Sequence, residues 1–136
     1  MNHQEPAAVA ASYFDALGRG DFSAAMALFH PDVVWHQPGS NRFSGDHAGI
    51  DAVGALLGGM MQTSAGTFQL TVTGNPMVNG QLVAVPVQFS GQRADASMDM
   101  AGTDLLTVSN GTITEVWLFS ADGAAEDAFW GLPEAL

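Results

Sequence analysis

The sequence predicts an α+β fold: a cone-shaped α+β barrel, with N-terminal helices packed on a strongly curved, mostly antiparallel sheet that encloses an apolar pocket. Three observations carry this. Apolar residues recur at spacings of three and four up to about residue 61, and the pattern changes to period two after residue 65. The predicted order is helix, helix, strand, helix, then a run of about four antiparallel strands, the segregation of an α+β domain. Asn79-Gly80 and Asn110-Gly111 stand between apolar runs, the dipeptides of tight hairpins. A chain of 136 residues makes one domain over 1–136, long enough to bury about two-thirds of its unfolded surface.

The elements follow in order. Val9, Tyr13, Ala16 and Leu17 give residues 5–18 a helical face, and Gly18 and Gly20 stop it. Asp21 caps a second short helix whose apolar face runs from Phe22 through Ala25, Met26 and Leu28 to Phe29, with Pro31 ending it. Val33, Val34 and Trp35 mark a strand over 32–37, closed by Pro38-Gly39. Residues 39–47 read as an irregular loop with Phe43 as its one apolar plug. A third helix spans about 48–61 (Ile50, Val53, Leu56, Leu57, Met60). Strands are predicted at 67–74, 82–91, 97–108 and 112–119, and a short helix capped by Asp122 over 122–130.

Composition excludes several function classes. The chain has 14 acidic residues against three arginines and no lysine, a formal charge of -11. It repels phosphate backbones and anionic bilayers, so neither nucleic acid nor membrane is an expected partner. No apolar run of about 18 residues is present, and Met1 to Pro6 lacks the regions of a signal peptide. Zero cysteines remove disulfides, thiolate ligands and a Cys nucleophile, which fits a cytoplasmic protein. His30, His36 and His47 lack metal-ligand spacing, so no metal is expected. His30 reads as a helix-end residue meeting the last carbonyls, and His3 as part of a fraying terminus.

One carboxylate stands out. Asp104 opens an apolar strand and shares a face with Leu106 and Val108. If that face is the cavity wall, desolvation raises its pKa and makes it a general acid or base. Trp35 and His36 point to opposite faces of their strand, so at most one of them enters the cavity unless the strand bulges. Trp35, Gln37, Phe89, Trp117, Phe119 and Met60 are candidate pocket residues for a hydrophobic ligand.

Motifs along nearly the whole chain resemble the nuclear transport factor 2-like superfamily, in particular its ketosteroid isomerase and SnoaL-like polyketide cyclase branch. They are Tyr13, Ala16 and Gly20-Asp21; Leu28-Phe29 with Asp32-Val33 and Trp35; Phe43-Ser44-Gly45 with Gly49, Ala52 and Val53; and Asp104 through Gly111, Ile113, Glu115 and Trp117. The resemblance implies a cofactor-independent cyclase or isomerase of a small hydrophobic carbonyl compound, polyketide- or terpenoid-like, and a homodimer formed on the open side of the sheet. It places Asp104 where the isomerases hold a protonated Asp. It aligns His36 with their catalytic base and Tyr13 with their oxyanion-binding phenol. His36 and Asp104 are then the expected acid/base pair, with Tyr13 donating to the developing enolate. A protein that binds or sequesters the ligand without chemistry is the alternative. Arg93-x-Asp95 is similar to a pair in epoxide-hydrolase-like members, but Leu118 stands where a second carboxylate is required.

Overall fold

The computed structural model describes residues 6–131; residue 5 of the predicted first helix and His3 lie outside them. The order is α1 (Pro6–Gly18), α2 (Phe22–Met26), β1 (Phe29–Gln37), β2 (Gly45–Ala48), α3 (Ile50–Thr63), β3 (Gln69–Val72), β4 (Met77–Asn79), β5 (Leu82–Arg93), β6 (Ala96–Ser109), β7 (Thr112–Ser120) and α4 (Gly123–Trp130). The strands form one curved sheet in the order β2-β1-β7-β6-β5-β3, with β4 also pairing β5. Every pairing is antiparallel except β1 with β7, which is parallel.

Local chemistry sets the element ends. α1 closes in a Schellman turn: Gly20 takes φ +73°, its N–H reaches Leu17 O at 3.0 Å, and Asp21 N–H reaches Ala16 O at 2.9 Å. The Asp21 carboxylate then accepts from Ala24 N at 3.1 Å and caps α2. At the β6–β7 hairpin, Asn110 and Gly111 both have positive φ, 52° and 81°, as a type I′ turn requires.

Three boundaries differ from the sequence reading. α2 ends at Met26 rather than at Phe29, because Leu28 O and Phe29 are drawn into pairing with Ile113 on β7. His30 therefore lies in β1, where its Nδ1 accepts from Asp32 N at 3.0 Å, and it caps no helix. Part of the loop at 39–47 contains β2, paired with β1 from Val34↔Ala48 to Gln37↔Gly45. Pro76 divides the predicted 67–74 strand region from the additional short strand β4.

The core lies between the helices and the concave face. Along β5, Val83, Val85, Val87 and Phe89 alternate inward, and on β6 Met98, Met100, Leu106 and Val108 do the same. Each such aliphatic side chain contributes about 1.5–3 kcal/mol by leaving water. Gly102 interrupts the β6 row for a steric reason. A Cβ there would stand 2.9 Å from Phe89 Cε1 and 2.6 Å from the Phe119 carbonyl, so its absence makes room for the Phe89 ring in the wall.

Candidate active site

The concave face, α1 and α3 enclose a cavity of about 1030 Å³, at the upper end of the range of small-molecule sites. Its wall is aromatic and aliphatic, with Phe14, Trp35, Met60, Phe68, Phe89 and Trp130 among the lining residues. Asp104 is set into this wall between Val85 on β5 and Leu118 on β7, and is 6 % exposed. Its carboxyl has no hydrogen-bond partner among the described residues. No fully buried side-chain oxygen or nitrogen lacks a partner there, so the Asp104 oxygens reach cavity space. Burial, reinforced by the charge of Glu126, pushes Asp104 from 3.8 up to about 7. It can therefore give or take a proton near neutrality.

Tyr13 projects from α1 into the same cavity. It is 1 % exposed, its ring packed against Phe14 and Phe29. Its hydroxyl also has no partner among the described residues. Burial and then the nearby Asp104 charge push its ionisation well above the ordinary tyrosine range, so it stays an O–H donor.

The cavity also contains Glu126, which the sequence reading missed. The N-terminal half of α4 carries it inward, 5 % exposed. Ser120 Oγ donates to its Oε1; Trp130 Nε1 and Gln37 Nε2 donate to Oε2 at 3.1 and 3.4 Å. Gln37 is oriented in turn by Trp35, whose Nε1 donates to Gln37 Oε1 at 2.9 Å. A signal for Glu126 was present: it stands three and four residues before Phe129 and Trp130, on the apolar face of its helix. α4 is held in place by Asp127, which accepts from Asn41 Nδ2 and Ser40 N, both at 2.9 Å, and by Arg93, which donates to Phe129 O.

Of the residues singled out in the sequence, Tyr13, Trp35, Gln37, Met60, Phe89 and Asp104 line this cavity. Phe119 reaches only its rim and is 54 % exposed. His36 and Trp117 are placed elsewhere, which corrects the expected His36–Asp104 pair. Strand alternation turns Trp35 and Gln37 inward and His36 outward. His36 pairs in register with Trp117 on β7, and the two rings stack on the outer face with centroids 5.2 Å apart. Arg93 and Asp95 line no part of the cavity, and Leu118 stands beside Asp104, an arrangement without the carboxylates of epoxide opening.

On the outer face His36 bridges three strands. Its Nδ1 meets Asp46 on β2 at 2.7 Å, and its Nε2 meets Glu115 on β7 at 2.6 Å. These contacts, first the hydrogen bond to Glu115, raise its pKa above 6.5. A raised histidine stabilises the fold below its unfolded value, and the contribution fades as pH climbs through the folded value. The thermal midpoint of the wild type should therefore exceed that of His36→Gln most at about pH 6, with the gap narrowing toward about pH 9. A gap independent of pH in calorimetry would contradict this ion-pair assignment.

A curved, mostly antiparallel sheet closed by helices around an apolar cavity is the fold of NTF2-like proteins. A crystal structure of a protein of unknown function with a cystatin-like fold from Xanthomonas campestris has a TM-score of 0.91 and 44 % identity, covering 94 % of this chain and 99 % of that chain. A putative polyketide cyclase from Sinorhizobium meliloti shares the fold, with a TM-score of 0.67 and 21 % identity over 81 % of this chain and 92 % of that chain. An uncharacterized protein of Mycobacterium tuberculosis is 36 % identical over 120 residues, 86 % of this chain and 89 % of that protein. The SnoaL-like domain family matches residues 10–116, and the chain belongs to that family. No helix among the described residues is long and apolar enough to cross a membrane.

Proposed function

We propose that this protein is a cofactor-independent acid/base catalyst that isomerises or cyclises a neutral, hydrophobic carbonyl compound of polyketide- or terpenoid-like character. The observation that carries this reading is Asp104: a carboxyl group without a hydrogen-bond partner, aimed into an apolar cavity and titrating near neutrality. Tyr13 supplies a second unengaged donor on the same cavity. Together they form a place for a carbonyl oxygen, where two O–H groups stabilise the negative charge that develops when an adjacent C–H bond breaks. Neutrality of the substrate follows from charge. Arg19 is the cation in the cavity lining, and it is already paired with Asp15 at 2.9 Å and Asp21 at 3.4 Å. Among the described residues nothing there compensates a buried phosphate or carboxylate. Self-association through the outer face, where Phe119 is exposed beside Trp117, belongs to the same reading.

The test is native mass spectrometry of the protein with a set of neutral ketones, lactones and aldol precursors, following bound mass and product together. Conversion to an isomer or loss of water supports catalysis, and Tyr13→Phe should slow it by about 10²-fold while leaving binding in place. A ligand that stays bound and unaltered through long incubation supports sequestration instead.

A further inference from the structure

We propose that Glu126 is the general base of this reaction, removing a proton from the carbon next to the carbonyl group whose oxygen is held by Asp104 and Tyr13. The inference rests on the acid/base reading above and adds the group that the outward turn of His36 leaves unassigned.

Among the described residues, the titratable side chains lining the cavity are Tyr13, Asp15, Arg19, Asp104 and Glu126. Asp15 and Arg19 are exposed and bonded to each other, which leaves Tyr13 and two carboxyls inside. The environments of those carboxyls are opposite. Glu126 Oε2 takes the indole N–H of Trp130, a group that can only donate. It also takes the Gln37 amide N–H, whose direction is fixed because Gln37 Oε1 is occupied by the Trp35 indole. With Ser120 on Oε1, three donors converge on one carboxylate, whereas none converges on Asp104. One carboxyl ringed by donors and one left bare in the same cavity are suited to act as a base and an acid.

Register supports the spacing. Asp104 lies opposite Leu118, and Gly102 lies opposite Ser120, the residue that holds Glu126. Glu126 is thus held over the inward position next to that of Asp104 on the same wall. A carbonyl group bound at Asp104 presents its neighbouring C–H toward Glu126. The C–H proton passes to Glu126, and the C–H electron pair forms the enolate double bond. The former carbonyl electrons settle on the oxygen facing Asp104 and Tyr13. In an isomerisation, Glu126 returns the proton to a different carbon of the conjugated system. In a cyclisation, the enolate carbon attacks a second carbonyl of the same molecule. The new alkoxide then takes a proton from Asp104, and the proton on Glu126 restores it. No oxidant or reductant enters.

The test is exchange of α-protons in deuterium oxide, using 2-tetralone as probe and proton NMR as readout, with the buffer rate subtracted. The wild type should accelerate exchange. Glu126→Gln should lose about 10²-fold or more of that acceleration, with the KM for the ketone nearly unchanged, and Glu126→Asp should recover part of it. Ser120→Ala, which removes one donor from the base, should change the exchange rate at saturating ketone while leaving KM nearly unchanged. A Glu126→Gln protein that binds the ketone and exchanges it at the wild-type rate overturns the assignment and leaves the acid/base reading standing. If Glu126→Gln does not fold, a wild-type exchange rate in Ser120→Ala overturns it equally. A wild type that binds the ketone without accelerating exchange overturns both.

Discussion

Asp104→Asn is expected to lower turnover by about two or more orders of magnitude and, at pH 8, to make the protein more stable than the wild type. Both effects come from one cause. The carboxyl is surrounded by Val85, Leu118 and the aromatic wall, and burial lifts it from 3.8 to about 7. Between those values the folded chain holds a proton that the unfolded chain releases, so wild-type stability falls as pH rises across the interval and levels off above it. The total loss is on the order of 4 kcal/mol. Asparagine has nearly the same shape and never ionises, so the variant escapes that loss. Urea unfolding should show the two proteins close together at about pH 4 and well separated at about pH 8. Curves that coincide at both values would mean that Asp104 titrates like an ordinary carboxylate.

Trp130→Ala is expected to produce the largest loss of stability. Trp130 is fully buried, meeting Phe129 and Phe43 edge-on at centroid distances of 4.8 and 5.3 Å and Phe68 at 5.8 Å. Removing a ring of this size from a closed core costs about 3–5 kcal/mol. The lost indole N–H also deprives Glu126 of a donor, which adds a further penalty of roughly 1–3 kcal/mol. Calorimetry should show the midpoint lowered by roughly 10–15 °C or more. Trp130→Phe separates the terms, since it keeps most of the packing and loses only the donor. A midpoint unchanged in Trp130→Ala would mean that Trp130 does not pack into the core as described.

Much of the architecture was legible because it follows from periodicities that tertiary contacts reinforce. The shift from helical spacing to alternation located the long strands, and Asn110-Gly111 located a hairpin whose type I′ turn requires those residues. Alternation also placed Asp104 on the inward face of β6 with Leu106 and Val108, and of these three Asp104 lines the cavity. The rest depended on pairing partners that lie far away in sequence. Gly45-Asp46-His47-Ala48 has little strand propensity and becomes β2 only because β1 offers an edge. Trp35 and His36 alternate in either reading, but only the register of β1 on β7 decides which of them faces inward. Glu126 was legible in principle, as an acid on the apolar face of a helix ending in Phe129-Trp130. Its function depends on Ser120, Gln37 and Trp130 arriving from three elements.

The central claim is that Asp104 carries its proton into the neutral range inside this cavity. It is tested most directly by carbon-13 NMR titration of protein labelled at the aspartate side-chain carboxyl carbons, with Asp104→Asn identifying the resonance. The account predicts a midpoint for Asp104 at about 7, above the ordinary aspartate range. A midpoint at about 4 would show a solvated carboxylate and remove the acid on which the proposed chemistry rests.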